Sequence, residues 1–240
     1  DYILITAYSE DRKNLGSLMV FDRESGEYLV TLGMKKESHL GGIAFDGENV
    51  WICHSNSNTL ERISYEYITK IAQDAPEYCI DASALSDEYR LKNTPSCITC
   101  YGGRLWVATH TSFFDSEMYS YSYDKKEDKL TAVSNYNLPS KVQGVAFDDN
   151  GSIYLSTSYG RNNSSYLKVY SSLLSLDKKP NEPKVKVEMP PCSEEVAIAD
   201  GTVFVLFESA SAKYFEGTDG MGKSPAPIDK LLEVSVASIW

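Results

Sequence analysis

Three histidines, an adjacent pair of glutamates and one Cys-x-x-Cys are the residues of this chain whose types and spacing invite chemistry. Glu194-Glu195 is the most informative of these. A carboxyl drawn out of water can bind a cation or serve as a general acid or base. Neighbours on a strand point to opposite sides, so one of the two should face a site and the other turn away. Glu208 adds a third carboxyl nearby in sequence. His54 and His110 offer imidazoles that would either hold a ligand or be held themselves by loop carbonyls. His39 precedes Gly41-Gly42 and is expected to cap that turn. Cys97-Ile98-Thr99-Cys100 lacks the second pair a metal site would use, and on a strand residues three apart diverge. The five cysteines (53, 79, 97, 100 and 192) are an odd number, which leaves at least one unpaired. They are expected to pack as small hydrophobes. No Gly-x-Ser-x-Gly, P-loop, dinucleotide fingerprint or His-Glu-x-x-His occurs.

The elements that must position these groups are strands. Of the 240 residues 42% are hydrophobic and 12% aromatic, with 17 Tyr and 3 Trp, ample for a packed core. The net charge is −11 and basic residues do not cluster beyond pairs, which disfavours nucleic acid as a partner. No stretch approaches the ~20 apolar residues of a membrane span.

An internal repeat then organises the chain. Gly42-Ile43-Ala44-Phe45-Asp46 leads through a turn to Asn49-Val50-Trp51-Ile52-Cys53. The same pattern returns at Cys97–Tyr101 with Arg104–Ala108, at Gly144–Asp148 with Ser152–Ser156, and at Glu195–Ala199 with Thr202–Leu206. Each link is Gly-rich hairpin chemistry. The interval is roughly 50 residues, as expected for blades of a β-propeller. A further strand carries an apolar pair three places apart: Leu18 and Phe21, Leu60 and Ile63, Met118 and Tyr121, Leu167 and Tyr170, Leu231 and Val234. Opposite parity makes both faces apolar, as a blade between two neighbours requires. The alternating Tyr119, Tyr121 and Tyr123 fall on such a strand and are read as packing rather than as a sugar-stacking stripe.

The expected architecture is therefore one all-β domain, a propeller of about five four-stranded antiparallel blades at residues 1–37, 38–93, 94–139, 140–191 and 192–240. A short helical insertion is expected near residues 65–92, where Tyr67, Ile68, Ile71 and Ala72 have helical spacing. Blade one reads as beginning at its second strand, so upstream residues are expected to supply the innermost one.

Gly-Gly-Ile-Ala-Phe-Asp (41–46) and Gln-Gly-Val-Ala-Phe-Asp (143–148) resemble the repeats of gluconolactonase-like and NHL-like bacterial propellers. That resemblance implies the fold and a site at the mouth of a central channel. Gluconolactonase-like enzymes hold a divalent metal there with Glu and Asn/Asp side chains. Glu194 or Glu195 would match the glutamate, but Gln143, Ser96 and glycines stand at the other positions. Five-bladed glycoside hydrolases use three separated carboxylates, more than this mouth offers. The expected ligand-binding set is His54, His110, Gln143, Glu194, Glu195 and Glu208, with no metal and no cofactor. The expected function is a binding or scaffolding propeller rather than an enzyme, with a metal-assisted lactonase- or glycosidase-type hydrolase as the alternative. The partner is expected to be a small molecule, glycan or protein at the loop face, the chain a monomer, and the location extracytoplasmic or at the cell surface.

Overall fold

The repeat folds as a hairpin in which an alanine of one strand faces an aromatic ring of the next. Ala44 pairs with Trp51, Ala146 with Tyr154 and Ala197 with Phe204. The small residue makes room for the ring, and each fully buried ring contributes roughly 1.5–3 kcal/mol. Trp51, Trp106 and Tyr154 are buried. Phe204 is half-buried, because the sheet that carries it has three strands and its last strand is exposed.

The computed structural model describes residues 1–9, 13–35, 38–74 and 78–240. In chain order come β1 (Tyr2–Ala7), β2 (Ser17–Asp22), β3 (Tyr28–Gly33), β4 (Leu40–Phe45), β5 (Asn49–His54) and β6 (Thr59–Ser64). Helix α1 (Tyr65–Asp74) follows, then β7 (Cys79–Asp81) and β8 (Ser86–Arg90). Next are β9 (Cys97–Tyr101), β10 (Arg104–Ala108), β11 (Ser116–Asp124), β12 (Lys129–Leu138), β13 (Val142–Phe147), β14 (Ile153–Thr157) and β15 (Ser165–Tyr170). The chain continues with α2 (Leu173–Lys178), β16 (Val185–Met189), β17 (Ser193–Ala199), β18 (Thr202–Phe207), α3 (Ala212–Phe215) and β19 (Leu232–Ser235). They form five small sheets, ordered β1-β2-β3-β7, β4-β5-β6-β8, β12-β11-β10-β9, β13-β14-β15-β16 and β17-β18-β19. This is a five-bladed β-propeller.

Contacts gather these residues into two compact units, 1–107 with 120–133 and 108–119 with 134–240. In the first unit β1 lies along β4, and β4 along β9. Strand β1 thus takes the innermost position of its sheet, where the sequence placed the second strand. Leu18 and Phe21 accordingly sit on the second strand, β2. The fourth strand of this sheet comes from the segment after α1: β7 runs parallel to β3. The expected insertion is thus a helix plus two strands, since β8 completes the second sheet by pairing with β6. Residues 36–37, at the expected end of blade one, and residues 75–77, inside that insertion, lie outside the described residues.

An arginine finishes the packing of this unit. Arg62 lies over Trp51, Tyr89 and Tyr123 at 5.9, 5.2 and 5.1 Å from their centroids. It pairs with Asp87 (2.6 Å) and Asp128 (3.0 Å). Both carboxylates are largely exposed, so the stacking outweighs the ion pairs. Tyr123 belongs to this cluster and Tyr121 is buried, which makes the tyrosine alternation a packing device.

In the second unit β13 lies along β17. Their close approach needs Gly144, where a Cβ would come within 2.5 Å of the Val196 nitrogen and 2.8 Å of the Glu194 carbonyl oxygen. Leu167 and Tyr170 are buried on opposite faces of β15, as a sandwiched blade requires. Val234 on β19 is 38% exposed instead, its sheet lacking a fourth strand.

Candidate functional site

A bulge at the start of β17 sets the geometry of the glutamates. The pairing of β17 with β18 jumps from Ser193 to Val196, so Glu194 and Glu195 leave the ladder together. Neither then follows simple strand alternation, and both carboxyls end up in poorly solvated surroundings.

Glu195 folds back onto its own strand. Its Oε1 accepts from the backbone N–H of Val196 at 3.1 Å and from that of Val145. It occupies the space that Gly144 leaves free. Its Oε2 is buried and has no hydrogen-bond partner. Burial raises this carboxyl well above the usual range, against the two backbone donors.

Glu194 turns towards Gln143, whose Nε2 donates to its Oε1 at 3.4 Å, and shares a hydrogen bond with Glu208. Burial first, then the charges of Glu208 and Glu195, raise Glu194 well above the usual range. Glu208 is raised less, because Lys213, a hydrogen bond from Tyr214 and Arg161 offset its burial. Glu194 is thus the member of the pair that keeps its proton to higher pH, and it donates that proton in the hydrogen bond the two share.

The segment after Glu208 supplies two of these offsetting groups and is pinned in place. The Ile228 N–H donates to Ser209 Oγ at 3.0 Å, closing the neck of the loop. Arg161, from the loop after β14, grips Asp219 with Nη1 at 3.1 Å and Nη2 at 2.5 Å, and donates to the Gly222 and Lys213 carbonyls. Its guanidinium also lies 5.0 Å from the Tyr214 ring centroid.

His110 joins this neighbourhood through the backbone: its Nδ1 is 3.1 Å from the Val142 carbonyl, beside Gln143. His54 belongs to the other unit, where it is buried with its Nε2 2.6 Å from Glu61 Oε2. Glu61 is itself buried and accepts from the Lys35 N–H at 2.9 Å and from the Ser86 hydroxyl. Glu61 lies mid-strand in Thr-Leu-Glu-Arg-Ile-Ser, a pattern in which nothing marks it as buried. His39 packs against Tyr8 with the rings tilted at 49° and their centroids 4.4 Å apart.

The second unit therefore brings together Gln143, Glu194, Glu195 and Glu208, with His110 beside them. Lys213, Tyr214 and Arg161 complete the set and were not read from the sequence, since the two connections that carry them have no repeat register to align. Among the described residues no three His, Cys, Asp or Glu side chains group so as to hold a metal ion. Among the same residues no helix is long and apolar enough to cross a membrane.

No protein-family model matches the sequence, and no curated protein does. Solved structures match it in shape. The chain resembles Kuenenia stuttgartiensis hydrazine synthase at 10% identity and a TM-score of 0.46, over 79% of this chain and 49% of that one. It resembles a chain of a nidogen/laminin complex at 12% identity and a TM-score of 0.48, over 94% of this chain and 70% of that one. The chain thus spans about half the length of the hydrazine synthase chain.

Proposed function

We propose that this propeller is a recognition module whose small-molecule site is built on Gln143, Glu194 and Glu208. The supporting observation is the hydrogen-bonded pair of poorly solvated carboxyls, Glu194 raised further than Glu208, flanked by an amide. Such a set offers donors and acceptors without a full pair of negative charges, which suits a neutral, hydroxyl-rich ligand. The segment at 209–230, pinned by Arg161, narrows the approach to it. The gluconolactonase-like and NHL-like resemblance of the Gly-Ile-Ala-Phe-Asp repeats belongs to this reading as a kinship of scaffold.

One observation favours a second reading. Two neighbouring carboxyls whose environments push them apart are the arrangement of a general acid and its basic partner. A lactonase-type hydrolase would use Glu194 as the acid and Glu208 as the base; a glycosidase holds its two carboxyls about 5 Å or more apart, too far to share a hydrogen bond.

Calorimetric titration with a panel of monosaccharides and sugar lactones separates the two. For a recognition module, saturable binding survives in Glu194→Gln, which keeps a neutral hydrogen-bonding group, and is lost in Glu194→Ala. A hydrolase turns over the lactones, and Glu194→Gln abolishes the turnover. Binding by none of the panel, with no turnover, would overturn the site.

A further inference from the structure

A second feature of the same unit, centred on β15 and β16, points to an anionic ligand. Lys168 on β15 is paired directly across the sheet with Lys186 on β16. Like charges placed opposite each other destabilise a sheet. Lys168 is also half-buried, with Leu155 as its neighbour on the other side. It has no ion pair and no hydrogen bond among the described residues. Lys141 is close enough to add a third positive charge to its surroundings, and Asp115 is the one carboxylate acting on it. Burial, Lys186 and Lys141, in that order, push Lys168 below the usual amine range.

The neighbouring carboxylates are already committed. Asp115 accepts from the Asn181 amide at 3.1 Å. Glu188, one cross-strand pair further along the same face, accepts from Ser164 Oγ at 2.6 Å. Three lysines thus meet in a chain whose 34 acidic residues outnumber its 23 basic ones. An acidic protein has carboxylates to spare for neutralising such a cluster, and this one leaves it positive.

Aromatic rings line the cluster. Lys186 lies 3.8 Å from the Tyr166 centroid and Lys141 lies 5.0 Å from that of Tyr159. Tyr159 in turn meets the edge of Phe113 at 5.7 Å. Phe113 is 74% exposed, a ring with much of its surface unused.

We propose that Lys141, Lys168 and Lys186 form a binding site for an organic phosphate or sulfate monoester, with the tetrahedral oxyanion on the ammonium groups and the organic part against Phe113 and Tyr159. A tetrahedral oxyanion, doubly charged in the phosphate ester and singly charged in the sulfate ester, can accept from several ammonium groups at once, through charge-assisted hydrogen bonds that are stronger than neutral ones. The rings distinguish an ester from a bare ion, since only an ester has an apolar part to cover them. The proposal stands independently of the carboxyl site.

The test is titration of the whole chain with phenyl phosphate, phenyl sulfate and inorganic phosphate, at about pH 8 where phosphate is a dianion, against sodium chloride of matched ionic strength. Phenyl phosphate or phenyl sulfate is expected to bind more tightly than inorganic phosphate, and the tighter of the two esters names the group the site takes. Lys168→Met should weaken binding about tenfold or more, while melting no earlier than the parent in ligand-free buffer. Lys186→Ser, a change at an exposed position, should weaken binding without touching the core. Phe113→Ala should reduce the ester to the affinity of the bare ion. Absence of saturable binding, or equal affinity in parent, Lys168→Met and Lys186→Ser, would overturn the site. An ester that binds no better than inorganic phosphate would overturn the part given to the rings.

Discussion

At the scale of single residues, burial decides which groups react and which only fill space. Cys192 sits beside Glu194 and Glu208, and burial together with their charges pushes its thiol up to about 11. Cys100 is raised too, by burial and then by Asp46. Cys53 and Cys97 are buried, and Cys79 is exposed. Since the thiolate is the nucleophile, native protein treated with iodoacetamide at about pH 8 should take one label, at Cys79. Peptide mass mapping checks this, and rapid labelling of Cys192 would contradict the burial described for it. Residue-level features were only partly legible in the sequence. That Cys97 and Cys100 are not a redox pair follows from strand parity alone. The partner of His54 does not, because Glu61 is brought beneath it by the β5–β6 register and by Ser86 from beyond α1. The alternation expected of Glu194 and Glu195 is cancelled by a bulge, and bulges leave no mark in hydrophobic pattern.

At the scale of elements, the spacing of the inner strands is set by glycines. A Cβ on Gly144 would lie 2.5 Å from the Val196 nitrogen, and one on Gly42 would lie 2.7 Å from Cys97 Cα. Both neighbours are backbone and cannot rotate away. Gly42→Ala and Gly144→Ala should each destabilise the protein by about 1–3 kcal/mol, the ordinary cost of overpacking. Gly144→Ala should in addition displace Glu195, whose Oε1 would lie 2.7 Å from the new methyl. Urea unfolding measures the first effect. Loss of the second is checked by the pH dependence of stability, which should change in Gly144→Ala and stay as in the parent in Gly42→Ala. The hairpins were legible because Ala-to-aromatic pairing and Gly-rich turns act locally. The first sheet was misread because the sequence between β1 and β2 is long and lacks the Asp-Gly or Gly-Gly link of the other repeats, so its inner hairpin lacks their pattern. Strand β7 was missed because three residues, Cys79–Asp81, pair in parallel with a strand far back in sequence.

At the scale of the whole molecule, the shifted carboxyls act on stability in two opposed directions. Glu194, Glu195 and Glu208 are raised above 4.5 in the folded protein. Between that value and their folded values the native state holds protons the unfolded chain has released, so stability falls as pH rises through this window. Asp46 and Asp219 are lowered from 3.8, Asp219 to about 2 through its bond to Arg161. Their contribution is complete above 3.8 and is lost as pH falls towards 2. The two limbs meet at mild acidity, close to the sequence pI of about 4.8, where self-repulsion from the −11 charge carried at pH 7 has also faded. Urea midpoints should therefore be higher near pH 4.5 than near pH 7.5, the reverse of the usual optimum between about pH 5 and 8. Glu194→Gln and Glu195→Gln cannot ionise, so each should raise stability near pH 7.5 and leave it almost unchanged near pH 4.5. Each carboxyl removed should flatten the fall by up to about 1.4 kcal/mol per pH unit within its window. A parent protein at its most stable near pH 7.5, with both variants weaker there, would mean that these glutamates are ionised and partnered. The neutral Glu194 on which the ligand site is built would then be gone.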